Sequence, residues 1–341
     1  MDIMEKSINR ILHKVVVLIP VYNDWDSVFI LLQDLDETLL NINISISVVL
    51  IDDGSTIMYN QNLFSNRWQY ISNLKIVELR RNLGSQRAIA VGLAYIEANI
   101  ICDAVVVMDG DGEDKPSDVP RLIDKCIEEN LSKVIFAYRR KRSESHQFKI
   151  FYFVYKKLFY FLTGTQIRFG NFSIIPQKSL KRLVAVAEIW NHFASGVIRS
   201  RLMYSEIATD RGARIAGKSK MSFTSLLIHG LASLSVYTDV IGTRLLLLAM
   251  VLLFVGLILI GCVFIVKLFT DLAVPGWATF TIGLLCLFIL QTTTISLLLM
   301  FIVLSSRTVY TVLPCRDYKS YIIDSYDLKS GVVNDQQIYW N

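Results

Sequence analysis

VVVMDGDGEDKP, Val105–Pro116, is the stretch from which the fold is read. A β-branched apolar run stops abruptly in an acidic loop punctuated by glycine, and a proline then opens a helical pattern. The same kind of apolar run recurs along the first half of the chain, at Lys14–Pro20, Ile46–Ile51, Leu74–Leu79 and Val134–Ala137, with Ala104–Met108 leading into the acidic loop. Between these runs, Asp24–Leu40, Gly84–Ala98 and Pro116–Asn130 carry helical spacing. Strands alternating with helices predict a mostly parallel α/β sheet covered by helices. In such sheets ligands bind outside the carboxyl ends of the strands, so unusual polar residues should gather there. They do: Pro20, Tyr22, Asn23 and Asp24 follow the first run, Asp52, Asp53, Gly54 and Ser55 the second, Arg80, Arg81, Asn82 and Gly84 the third, and Asp109 to Asp114 the fourth.

The 341 residues are 53% hydrophobic and 19% charged, which excludes a disordered chain and disfavours an ordinary soluble domain. A net charge of +5 is mild and gives no argument for nucleic acid. The five cysteines form no CxxC pair, so neither a zinc site nor a disulfide framework is expected. There is no GxGxxG after a strand and no GxxxxGK[ST], which disfavours dinucleotide-dependent oxidoreductases and P-loop enzymes.

The apolar excess lies towards the carboxyl end. Leu245–Val266 and Trp277–Leu304 are each long enough to cross a bilayer, and the short link between them holds Pro275 and Gly276. Gln291, Thr292, Thr293, Thr294 and Ser296 interrupt the second stretch and are expected to face a neighbouring helix. Basic residues flank the pair on both outer sides (Arg211, Arg214, Lys218, Lys220 and Arg244 before, Arg307, Arg316 and Lys319 after). By the positive-inside rule both flanks are cytoplasmic. Met1–Lys14 is polar and reads as no secretory leader. Ahead of the first span, Phe223, Leu226, Leu227, Leu231 and Leu234 fall on one stripe and predict an interfacial helix. The expected division is a catalytic domain over 1–221, a juxtamembrane amphipathic segment over 222–243, a transmembrane hairpin over 244–304 and a cytoplasmic tail over 305–341. Arg139–Arg142 and Lys149 form a basic loop before the aromatic FKIFYFVYKKLFYFLTG; docking on anionic lipid, closure over a diphosphate and an ordinary solvated turn are all open readings.

In an extended chain residues two apart share a side, so Asp109, Asp111 and Glu113 can offer oxygens to one hard cation, Mg²⁺ or Mn²⁺, with substrate phosphates completing its shell. Taken in order, IPVYND, IDDGS, LRRNLGSQRAIAVGL and VVVMDGDGEDKP resemble inverting family-2 glycosyltransferases of the GT-A, Rossmann-like fold. RGARIAGKSK followed by an amphipathic stretch and two spans resembles the branch that glycosylates polyprenyl phosphates, the bactoprenol glucosyltransferase and dolichol-phosphate mannose synthase group. The resemblance implies that Pro20, Tyr22 and Asp24 hold the nucleotide base, that Asp52 and Asp53 contact base and ribose, and that Asn82 and Gly84 support the sugar-nucleotide pocket. It makes Asp109 and Asp111 the metal-binding D-x-D and puts Glu113 where a Gln often reaches the metal. Arg211, Arg214, Ser219 and Lys220 become the run that contacts the lipid phosphate. Two segments depart from the pattern: DGDGEDKP replaces D-A-D-L-Q-D-P-P, and GNFSII puts Asn171 where many relatives carry Asp.

The implied activity is transfer of a hexose from a UDP- or GDP-linked sugar to undecaprenyl or dolichyl phosphate at the cytoplasmic face of the inner membrane, by a metal-dependent single displacement with inversion. Asp111, Arg211, Arg214 and Lys220 are the implied catalytic set, and Glu188 or Asp210 are open as assistants. Membrane lipids are implied partners and a homo-oligomer is compatible with the pattern. The competing readings are a membrane glycosyltransferase that extends a polysaccharide or glycolipid, and a non-catalytic membrane scaffold of the same fold.

Overall fold

The computed structural model describes residues 12–64, 68–139, 146–166, 170–210, 212, 214–215, 223–270, 276–308 and 311–328. Eight strands, β1 (Lys14–Val21), β2 (Ser45–Asp52), β3 (Ile71–Leu79), β4 (Ala104–Val107), β5 (Val134–Arg139), β6 (Ser173–Pro176), β7 (Tyr204–Thr209) and β8 (Ile322–Asp327), form one sheet in the order β7-β5-β6-β4-β1-β2-β3-β8. The helices are α1 (Trp25–Thr38), α2 (Gln61–Phe64), α3 (Ser85–Asn99), α4 (Asp118–Glu128), α5 (His146–Thr163), α6 (Gln177–Leu183), α7 (Phe193–Arg199), α8 (Phe223–Ser235), α9 (Thr238–Phe269), α10 (Trp277–Thr308) and α11 (Pro314–Asp317). The expected strands and helices are present, with ends shifted by a few residues. The chain divides into two compact units, one drawn from Met1–Ser145, Ile167–Val236 and Val312–Asn341, the other from His146–Gln166 and Tyr237–Thr311.

In the first unit β1 pairs parallel with both β2 and β4, and β2 pairs parallel with β3. A central parallel strand is covered on both faces, which is why KVVVLIPV is nearly all apolar. Val16 and Leu18 point into one core with α3, α6 and α7, while Val15, Val17 and Ile19 point into the other with α1 and α4. Helix α3 lies very close to the sheet: a Cβ at Gly92 would come within 2.8 Å of the Ile51 side chain and nearer still to Leu18. The strand order reverses beside β1, where the chain runs out to β3 and returns as β4 on the other side. That reversal opens a crevice at the carboxyl ends of β1 and β4. The other edge is mixed, with β6 antiparallel to β4 and β5.

The last segment departs from the expected tail. After α10 the chain returns to the first unit and adds β8 antiparallel to β3. Tyr318 is 5% exposed and packs edge-on to Tyr95, with ring centroids 6.5 Å apart. The Tyr95 hydroxyl donates to Ser325 at 3.0 Å, and Lys75 pairs with Asp327 at 3.0 Å. Otherwise β3 would present a bare edge.

The second unit holds α5, α9 and α10. The 32 residues of α9 and of α10 each extend about 48 Å, beyond the roughly 30 Å of a bilayer core. By length and composition both are apolar enough to cross a membrane. Small residues sit where the pair approaches, Gly256 against Ile289 and Gly242 against Val303. The hydroxyls of Thr292, Thr293, Thr294 and Ser296 donate to carbonyls one turn back in α10 itself, which satisfies them within the helix. Helix α5 ends at Gly164, whose positive φ closes the helix while Arg244 donates to the Phe161 carbonyl at 2.7 Å. Thus the aromatic stretch after the basic loop joins the apolar helices instead of the 1–221 unit. Of the expected interfacial stripe, Leu231 is exposed and Leu234 half-buried; the side chains of Phe223, Leu226 and Leu227 lie outside the described residues.

A Tyr318→Ala variant is expected to lose about 3 kcal/mol of stability in denaturant titration, the cost of emptying an aromatic site in the core. A chain ending at Thr311 is expected to aggregate, because the β3 edge and the α3 face are uncovered together; a monodisperse product in size-exclusion chromatography would show that the return segment is dispensable.

Candidate active site

The loops after β1, β2 and β3 are held to one another by side chains that accept backbone amides. Asn23, in the left-handed region at φ 50°, stitches the first two loops: its Oδ1 accepts from Thr56 N at 2.8 Å and Ile57 N at 3.0 Å, and its own amide donates to Ser55 Oγ. Asparagine tolerates that backbone conformation better than most residues. Asp52 Oδ1 accepts from Ser55 N at 2.8 Å, closing the IDDGS turn. Gly54, at φ 67°, lets the third loop cross: an added Cβ would stand 2.7 Å from Asn82 N.

Asp53, expected to contact base and ribose, has both carboxylate oxygens bonded to the backbone of the third loop. It is 3% exposed, and its two oxygens accept from Leu83 N at 2.7 Å and Gly84 N at 2.8 Å. Burial pushes its pKa up to about 6, against the lowering effect of those two amides. It clamps the Asn82–Gly84 loop and so sets the start of α3, with Gly84 at φ 88° as its cap. Asp52 and Glu78 are register partners on β2 and β3, and Asp324 of β8 is opposite Glu78. Burial first, then the Asp52 and Asp324 carboxylates, hold Glu78 above its ordinary pKa. Tyr22 is exposed just after β1, and Pro20 is half-buried in β1.

The acidic loop is folded on itself. Asp109 N donates to Asp114 Oδ2 at 3.0 Å, and Glu113 N donates to Asp111 Oδ1 at 3.0 Å. The segment after β7 docks on this loop through Gly212 N to Glu113 O at 2.9 Å and Ile215 N to Asp111 O at 3.1 Å. Gly212 is required there, because a Cβ would collide with the Gly112 carbonyl. This docking delivers Arg214 between two loops: Nη2 lies 3.2 Å from Asp24 Oδ2 and Nη1 lies 3.5 Å from Asp111 Oδ2. Asp24 also accepts from Ser27 Oγ at 2.8 Å at the start of α1. Arg211, Ser219 and Lys220 lie outside the described residues.

On the other side of the acidic loop, Asn171 Nδ2 donates to Asp109 Oδ1 at 3.3 Å, and Gln86 Nε2 donates to Asn171 Oδ1 at 3.0 Å. Glu188 sits in the short turn Ala187–Trp190 and Asp210 is exposed after β7. Among the described residues no three of His, Cys, Asp and Glu are grouped closely enough to hold a metal ion, so Asp109, Asp111 and Glu113 are not a ready-made cage. The donor set still suits a hard divalent cation. Asp109 and Asp111 offer carboxylate oxygens, Asp111 already faces a cationic guanidinium, and a cation of the Mg²⁺ or Mn²⁺ class takes its other ligands from substrate phosphate and water.

Gln86, inside a predicted helix, is the position that pattern reading passed over. Asn23 and Asp114 were counted in the polar clusters after the strands without a role, and only the fold shows which amides they meet. His192 caps α7 by accepting from Ser195 N at 3.2 Å.

Residues 16–184 match the family model described as Glycosyl transferase family 2. An uncharacterized glycosyltransferase of Synechocystis sp. is 26% identical over 282 residues, 80% of this chain and 84% of that protein. The undecaprenyl-phosphate 4-deoxy-4-formamido-L-arabinose transferase of Klebsiella pneumoniae (strain 342) is 32% identical over 132 residues, 39% of this chain and 38% of that protein. Among solved structures, glucosyl-3-phosphoglycerate synthase from Mycobacterium tuberculosis, in complex with Mn²⁺, UDP-glucose and phosphoglyceric acid, superposes with a TM-score of 0.49 at 14% identity, over 67% of this chain and 80% of that one.

Asp53→Asn replaces one acceptor with a second donor facing Gly84 N, and is expected to lower the melting temperature at pH 7.5. The raised pKa of Asp53 means that the folded chain binds this proton more tightly than the unfolded chain. Its contribution to stability is therefore full below pH about 4 and is lost as pH rises to about 6. The margin of the wild type over Asp53→Asn should widen as pH falls through that window; a margin independent of pH would refute the assignment.

Proposed function

The chain carries a family-2 glycosyl transferase domain and is a glycosyltransferase; from that premise we propose that it moves a hexose from a nucleotide-diphosphate sugar to a polyprenyl phosphate at a membrane face. The observation that carries the reading is Arg214 held between Asp24 and Asp111, a cation of the basic run tied to the two loops assigned to the donor. Two apolar helices of membrane-spanning length support a lipid-linked acceptor, as does the likeness to transferases named for undecaprenyl phosphate.

In this reading the nucleoside lies at the carboxyl ends of β1 and β2, with Tyr22 offering a ring face and Asp52 a carboxylate for base N–H donors. Asp24, Pro20, Asn82 and Gly84 shape that end of the pocket. Asp109 and Asp111 would hold Mg²⁺ or Mn²⁺, which when bound neutralises the departing diphosphate. Arg214, with Arg211, Ser219 and Lys220, grips the lipid phosphate; the planar guanidinium fork suits a phosphate better than an ammonium does. An oxygen of that phosphate attacks the anomeric carbon on the face opposite the diphosphate, so configuration inverts. The second pKa of a phosphate monoester is near 6, so at neutral pH the nucleophile is already mostly dianionic. It requires positioning more than deprotonation, and Asn171 in place of a carboxylate is consistent with that. We further propose that the catalytic domain is cytoplasmic, that the two helices cross the inner membrane, and that 1–221, 222–243 and 244–304 act as catalytic, juxtamembrane and anchoring segments.

The test is a membrane assay in which labelled UDP- and GDP-sugars are offered with undecaprenyl phosphate and Mg²⁺ or Mn²⁺, and label is counted in the organic extract. Asp111→Asn should leave the protein in the membrane and reduce transfer about 100-fold or more. Arg214→Ala should raise the KM for lipid phosphate more than it weakens nucleotide-sugar binding. Full transfer by Asp111→Asn in the presence of chelator would reject the metal role, and equal loss of both substrates in Arg214→Ala would reject the acceptor role.

A further inference from the structure

We infer that Gln86 and Asn171 form a neutral amide relay that orients Asp109, with Asn171 as a positioning residue and not a base. The inference rests on the reading of Asp109 and Asp111 as the cation- and diphosphate-facing pair.

The relay has a polarity set from one end. The backbone N–H of Phe193, at the start of α7, can only donate, and Gln86 Oε1 accepts it at 2.7 Å. This turns Gln86 Nε2 away from α7 and towards Asn171 Oδ1, which it meets at 3.0 Å. Asn171 in turn has its Nδ2 directed at Asp109 Oδ1, 3.3 Å away. Gln86 is 9% exposed, so reversing its amide would set an N–H against the Phe193 N–H with little water to take up the mismatch. Each amide hands its orientation to the next, and the final acceptor is a carboxylate.

The sheet brings the two ends together. Strand β6 is antiparallel to β4 with Val107 opposite Ser173, and continuing that register by two residues sets Asp109 opposite Asn171. Ser173, fully buried, donates its hydroxyl to the Asn171 carbonyl at 3.0 Å and fixes the backbone there. A carboxylate at 171 would still accept from Gln86, but it would face Asp109 with like charge at the same short range. An amide keeps the donor pointing at Asp109 and adds no charge to the loop. Through Gln86 the same relay ties the acidic loop to the amino end of α7.

The experiment uses the full chain in detergent at pH 8, with thermal melting and Mn²⁺ binding followed by electron paramagnetic resonance without donor sugar. Asn171→Asp should melt about 2–4 °C lower than wild type. The exchanged pair Asp109→Asn with Asn171→Asp should recover the wild-type melting temperature, because Asn at 109 can donate to the carboxylate at 171, which still accepts from Gln86. Asn171→Ala should bind Mn²⁺ several-fold more weakly than wild type, and Asn171→Asp several-fold more tightly. Failure of the exchanged pair to recover overturns the relay, as does wild-type Mn²⁺ affinity in Asn171→Ala. Wild-type protein that binds no Mn²⁺ would reject the cation reading instead, and the melting comparison would still decide the relay.

Discussion

A parallel strand buried on both faces leaves only its ends for chemistry, and this constraint governs the first unit. With Val16 and Leu18 in one core and Val15, Val17 and Ile19 in the other, β1 has no surface to offer except the turn at Pro20–Asp24. The same holds for β2 and β4, whose ends carry Asp52 and Asp109. The chain returns across β1, so the strand order reverses between β1 and β4, the place where sheets of this kind bind ligands.

Loops gathered at one edge must still be held in place. Here the fastening is done by short polar side chains that accept backbone amides, a device that satisfies buried donors and fixes loop geometry together. Asn23 joins the first and second loops, Asp53 the second and third, and the docked Gly212–Ile215 segment covers the fourth. The cost is a concentration of carboxylates; Asp53 and Glu78 have raised pKa values, first through burial and then through the charge of their carboxylate neighbours. Arg214 offsets part of that charge by facing Asp24 and Asp111, and a divalent cation would add to it when donor binds. Asn171 spares the loop a further negative charge while still supplying a donor.

The carboxyl-terminal segment is a return in chain order: the sequence leaves the first unit at Val236, passes through α9 and α10, and comes back to it as α11 and β8. Covering β3 with Ile322–Asp327 closes an exposed edge and places Tyr326 over Tyr59, with ring planes 20° apart. Burial and the Tyr59 hydroxyl hold the Tyr326 phenol well above its usual pKa, so it stays protonated beside Asp52 and Glu78.

Short continuous apolar runs, helical spacing and turn chemistry are local properties, and from them the sequence alone determined the strands β1 to β5, the helices between them, the two long apolar helices and the acidic loop. The clustering of polar residues after each run also marked the working edge of the sheet. What tertiary structure decided is which amide or cation each of those residues meets. Asp52 and Asp53 are adjacent in sequence and were read as a pair, yet a strand points neighbours to opposite sides, so one closes its own turn and the other clamps the next loop. Gln86 and Asn171, 85 residues apart, and Arg214 with Asp24, 190 apart, become partners only through sheet register and loop docking. Strand β8 was illegible for the same reason: a short segment of mixed polarity without alternation acquires its meaning from the edge it covers, and that edge is more than 200 residues away in sequence.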